Sequence, residues 1–182
     1  HLSIRRQRQM CIRDRRITEF MYHPADPNSE FMELRNVGDE PLNLNLVRFT
    51  DGIDFTFGPQ DLTPGQSIVV VQDLAAFQAR YPDFSGPLAG PYAGLLNNAG
   101  EHLALTDILG TAIQSLTYED GWFELTDGEG FSLTARDEAL DQPWYPTEGL
   151  VARWAMDQVA GTAVPDSQGH HAGQLLLSLI HI

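Results

Sequence analysis

From residue 17 to about residue 136, apolar and polar positions fall in short alternating runs separated by turn residues, the period-2 pattern of strands with one buried face. Ile17-Thr18-Glu19-Phe20-Met21 reads as a strand that stops at His23-Pro24. Residues 30–36 read as a second, with Met32 and Leu34 on one face and Phe31, Glu33 and Arg35 on the other. After the turn Gly38-Asp39-Glu40-Pro41, Leu42, Leu44 and Leu46 alternate with asparagines as a half-buried strand. Asp51-Gly52 is a hairpin signal, and beyond it Ile53, Phe55 and Phe57 share a face. The β-branched run Ser67-Ile68-Val69-Val70-Val71 lacks alternation, which predicts burial on both faces. One helix is predicted, with Asp73 as N-cap, Leu74, Phe77 and Tyr81 on one stripe, and Pro82 as the stop. A Gly/Pro-rich loop runs to Asn98. Residues 101–106 and 111–118 then pair around Asp107-Ile108-Leu109-Gly110. Asp127-Gly128-Glu129-Gly130 leads into a closing strand with Phe131, Leu133 and Ala135 inward. The predicted fold class is an all-β sandwich with one short helix.

Composition changes the picture at the two ends. Six of the 11 basic residues lie in the first sixteen positions, against the single acid Asp14. From Ile17 onward five arginines face 24 acids, a formal charge of −19, and the chain has no lysine. So acidic a body repels phosphate backbones, which argues against nucleic acid and for cations or basic partners. The basic arm differs sharply in composition from the body. Its Gln7-Arg8-Gln9-Met10-Cys11-Ile12-Arg13-Asp14-Arg15, and Ser178-Leu179-Ile180-His181-Ile182 at the other end, resemble translated sequencing-adapter sequence of metagenomic contigs. Residues 1–16 and 178–182 are therefore set aside as non-native, as a tag would be. Residues 137–149 read as a linker rich in Asp, Glu, Gln and Pro. No apolar run reaches the roughly 18 residues of a membrane span. The lone Cys11 allows no internal disulfide and leaves the redox compartment open.

Candidate chemistry is sparse. Glu30 and Glu33 are three apart on one strand, so they face opposite sides, and both are expected to be solvated. Asp51 and Asp54 flank a hairpin turn, where Asp51 before Gly52 is explained by turn chemistry. Asp127 and Glu129 around Gly128 resemble a loose calcium loop without the EF-hand spacing, the one place where a cofactor, calcium, is considered. His23, His102, His170 and His171 include no His-Glu-x-x-His spacing, and His102 is expected to point to solvent. Neither a Gly-x-Ser-x-Gly elbow nor a P-loop is present. A self-contained glycosidase would need two acids about 5–10 Å apart in a cleft. No catalytic, cofactor-binding or metal residue is assigned.

Several phrases resemble bacterial lamin-tail domains: ITEFMYHP at 17–24, SEFMELRN at 29–36, the turn NVGDEPLNL at 36–44, LNNAGEHLAL at 96–105 and GEGFSL at 128–133. They cover most of residues 17–136 in the family's order. Trp122-Phe123-Glu124-Leu125 departs from it, standing where relatives often carry a tryptophan-proline pair. Residues 150–177 resemble the truncated start of a concanavalin-like laminin-G domain. So short a piece buries no sandwich core alone, and it is expected to be poorly ordered or to lean on its neighbour. The resemblance implies an immunoglobulin-like fold and a non-catalytic interaction, adhesion or spacer module. It further implies a larger secreted or cell-surface bacterial protein with a protein or glycan partner. The alternative is an accessory domain beside a hydrolase or a spore-coat-type kinase.

Overall fold

The structure, a computed structural model, describes residues 14–136, 144–147, 163–164 and 173–174. Two antiparallel-rich sheets face each other across one core. The first strand, β1 (Arg15–Met21), pairs with β2 (Phe31–Asn36), and β2 pairs with β7 (Ser67–Val71). On its other side β1 pairs with β11 (Ser132–Ala135), which pairs with β12 (Trp144–Thr147). With β8 (Leu88–Ala89) parallel to β7, the six-stranded order is β12-β11-β1-β2-β7-β8. The second sheet has the order β10-β9-β4-β5, from β4 (Arg48–Asp51), β5 (Phe55–Thr56), β9 (Gly100–Thr106) and β10 (Ala112–Glu119). Two short pairs complete the strands: β3 (Leu42–Asn43) with β6 (Asp61–Leu62), and β13 (Ala163–Val164) with β14 (Gly173–Gln174).

The period-2 pattern explains the core. Phe20, Met32, Leu34, Val70 and Leu133 point inward from the first sheet and meet Phe49, Leu103, Leu105, Leu116 and Tyr118 from the second. Burial of such side chains contributes about 1.5–3 kcal/mol each. A second cluster lies on the far face of the first sheet, where Met21, Phe31, Val69 and Val71 pack against Phe77. Phe77 belongs to α1 (Leu74–Arg80), which is capped as expected: the Asp73 carboxylate accepts the Ala76 N–H at 2.8 Å. The helix is thus the reason β7 is buried on both faces. Leu74 stays 37% exposed at the rim of that cluster.

Four expectations need correction. Leu46 does not join the face of Leu42 and Leu44; its φ of +63° places it in a left-handed turn, 42% exposed. Glu30 and Glu33 are buried, at 4% and 0% exposure: Glu33 belongs to β2, an inner strand between β1 and β7, and Glu30, just ahead of it, lies under the loop that carries Tyr92 and Leu96. They do face different surroundings, since Glu33 takes the Thr18 hydroxyl while Glu30 turns towards Tyr92. The body begins two residues before Ile17, since Arg15 and Arg16 pair with Asn36 and Arg35. Finally, part of the expected linker is sheet. Trp144 of β12 is buried, 5.1 Å from the Phe20 ring centre. The laminin-G-like stretch, including His170 and His171, otherwise lies outside the described residues.

Candidate functional site

One end of the sandwich carries a polar cluster around a cavity of about 550 Å³. One wall is the turn after β1, with His23, Pro24 and Ala25. The opposite wall is the loop before β9, with Leu95, Asn97 and Asn98. Glu30, just ahead of β2, is the sole carboxylate among the described lining residues, so the carboxylate pair of a glycosidase is not met among them.

Glu30 is held by the loop before β9. Its Oε2 accepts the Tyr92 hydroxyl at 2.9 Å and the Leu96 N–H at 3.0 Å. Both bonds fasten the loop before β9 onto β2. Oε1 carries no hydrogen bond among the described residues, yet it is not sealed from solvent. Burial raises the Glu30 carboxyl above its ordinary range, partly offset by those two donors; Glu101 adds repulsion and His23 a weaker attraction.

Neighbouring groups lock the walls. His23 Nδ1 lies 2.6 Å from Asp127 Oδ1, and Gly128 N–H donates to the His23 carbonyl at 3.1 Å. The Tyr118 hydroxyl donates to the Asn97 carbonyl at 2.8 Å, and Asn97 N–H donates to Glu101 Oε1 at 2.7 Å. The Tyr22 and Tyr118 rings pack in a tilted pair with centres 4.8 Å apart. Burial pushes the Tyr92 and Tyr118 hydroxyls far above the usual phenol range, so both remain donors at physiological pH. Asp127, the sequence candidate for calcium, is thus engaged by a histidine. Among the described residues no group of three or more His, Cys, Asp or Glu is placed to hold a metal ion.

A second constellation lies on the outer face of the four-stranded sheet. His102 of β9 sits between Asp51 of β4 and Ser115 of β10, with Nδ1 2.7 Å from Asp51 Oδ2 and Nε2 2.6 Å from Ser115 Oγ. Nucleophile, base and orienting acid have the connectivity of a Ser-His-Asp triad. The surroundings are different. The side chains of His102 and Asp51 are 45% and 58% exposed, so water screens any charge developing there. Backbone N–H groups of a sheet lie in its plane, so the strands aim none at a carbonyl resting on Ser115. The arrangement is therefore a cross-strand hydrogen-bond ladder, and the His102 contact holds the Asp51 carboxyl below its usual value. His102 is exposed as expected, but it is engaged on both ring nitrogens.

The remaining feature is an edge. Strand β10 has eight residues and pairs with β9 on one side; on the other no strand forms a ladder with it among the described residues, although β1 approaches its first half, where the Ile17 N–H donates to the Gln114 side chain at 2.7 Å. The other edge strands, β5, β8 and β12, have two, two and four residues.

No helix among the described residues is long and apolar enough to cross a membrane. A family model described as the Lamin Tail Domain matches residues 13–120, more than half of the chain. Neither a curated protein nor a solved structure matches it.

Proposed function

The chain belongs to the lamin tail domain family, and from that premise we propose that it is an interaction module, contributing adhesion or protein contacts within a larger secreted or cell-surface bacterial protein. Lamin tail domains are non-catalytic immunoglobulin-like domains, consistent with an interaction or spacer role. The observation that carries the finer reading is the edge of β10, which has no ladder partner among the described residues and is approached by β1 only near Gln114. Such an edge presents unpaired backbone donors and acceptors that an extended partner segment can complete as an added strand. The extracellular setting rests on the resemblance of residues 150–177 to a laminin-G start, and the reading of both extreme ends as adapter-derived is kept with it.

Arrays of extracellular proteins and glycans probed with the full chain test the reading. For any partner captured, hydrogen exchange should slow at alternate amides of residues 112–119, those facing away from β9. Protection elsewhere, with β10 unchanged, would refute the strand-addition mechanism. The second reading, an accessory to an enzyme whose catalytic part lies in another domain, is favoured if the chain binds nothing on the arrays and its gene continues into a hydrolase or kinase-like domain.

A further inference from the structure

A buried carboxylate is costly unless a cation or several donors meet it. Glu30 has two donors, both on Oε2, while Oε1 has no hydrogen-bond partner among the described residues, and the residue lines the cavity. The residue is 4% exposed, so the charge is set deep below the rim and not on an acidic surface. Among the described residues neither arginine nor lysine contributes to the lining, and the His23 ring that does has its Nδ1 committed to Asp127. The walls suit the shaft and head of a long side chain. Leu95, Leu96 and Pro24 are apolar, and the exposed Asn97 and Asn98 add polar lining. A cavity of about 550 Å³ has room for one such side chain with water. The formal charge of −19 from Ile17 onward draws cations towards the body at long range.

We propose that this end cavity is a receptor for one cationic side chain, arginine or lysine, of a partner polypeptide, with Glu30 as its counter-ion. The proposal rests on the interaction-module reading and adds to it the chemistry of the partner. It also links the two features of the site. Tyr118 lies next to last in β10 and donates to Asn97 of the cavity wall. A segment added along β10 would run towards the cavity, and a basic residue at its end could fill it.

The test uses the full chain and three blocked tripeptides, acetyl-Gly-X-Gly-amide, with X arginine, lysine or citrulline, followed by amide chemical shifts in NMR titrations. Arginine or lysine peptide should shift the amides of residues 95–98, and the better of the two shows which head group fits. Citrulline, which keeps the shape of arginine without its charge, should bind at least tenfold more weakly. Glu30→Gln should reduce cationic binding by a similar factor. Because Glu30 also holds Tyr92 and Leu96, Ala25→Trp serves as an independent variant. It narrows the mouth from an exposed position and should abolish binding with the fold intact. Equal binding of arginine, lysine and citrulline peptides, no shift with either cation, or binding that survives both variants would overturn the proposal. Failure here, together with a partner that protects β10 amides, would remove the receptor and leave the interaction module standing.

Discussion

Removing the Tyr92 hydroxyl tests whether Glu30 is held as a charged group. Tyr92→Phe keeps a ring that is 6% exposed in the core and deletes only the donor at 2.9 Å from Glu30 Oε2. A hydrogen bond to a charged group contributes about 1.5–3 kcal/mol, a neutral one about 1 kcal/mol. At pH 7 the variant should therefore lose about 2 kcal/mol, roughly 5–10 °C in Tm for a domain of this size. The pH dependence follows from the raised Glu30 carboxyl. A carboxyl raised on folding binds its proton more tightly in the folded state. Its charged form costs stability at neutral pH, and the cost is relieved as pH falls through the folded-state value. The hydroxyl offsets part of that cost, so its loss matters most at neutral pH and should shrink to about 1 kcal/mol once Glu30 is protonated. Urea unfolding of the wild type, Tyr92→Phe, Glu30→Gln and the double variant at pH 7 and pH 4 gives the coupling directly. In the Glu30→Gln background the tyrosine change should cost about 1 kcal/mol at both pH values. A loss below about 0.5 kcal/mol at pH 7, or the same loss with and without the Glu30 charge, would refute the reasoning.

Phe77→Ala should lose about 3–5 kcal/mol in urea unfolding, because it empties the cluster that joins α1 to β2 and β7. Gly100→Ala should cost more than about 1 kcal/mol by the same assay. Its φ is +101°, and an added Cβ would meet the Tyr118 carbonyl oxygen at 2.4 Å, at the open end of the β9–β10 pair where Gly100 lies opposite Glu119. Hydrolysis of p-nitrophenyl acetate should not change with Ser115→Ala; burst kinetics lost with that change would make the ladder a catalytic triad. Asp51→Asn should leave the urea unfolding midpoint at pH 7 essentially unchanged, as for other exposed pairs. Because folding lowers the Asp51 carboxyl, whatever that pair contributes is present above the ordinary aspartate value and is lost as pH falls through the lowered one.

Alternation made the strands legible, because half-buried strands write their inner face into every second residue. It identified Ile53 and Phe57, the β9–β10 hairpin and the two-faced burial of β7, and the Asp73 cap and Pro82 stop bracketed the helix. It failed at Leu46, where a turn interrupts an apolar series that still looks periodic. It also failed for Glu33 and for Glu30 just ahead of the same strand, since a charged residue in or beside an inner strand looks in sequence like one on a solvated face. Trp144 was lost in a polar stretch, although a tryptophan among acids and prolines was a signal that something apolar must be covered. The site itself was out of reach. Glu30 meets residues 62 and 66 positions away, and His102 meets Asp51 across 51 positions. Strand order creates those neighbours, and nothing in local spacing encodes it.

The claim that this lamin tail domain serves as a contact-making part of a larger extracellular protein is tested most directly by reading its gene across both ends of the chain. The expected frame runs upstream into a secretion signal and downstream into a complete laminin-G-like domain, without the arginine-rich arm or the SLIHI end. A frame that keeps both ends as they stand, or that continues into a cytoplasmic enzyme, would contradict it.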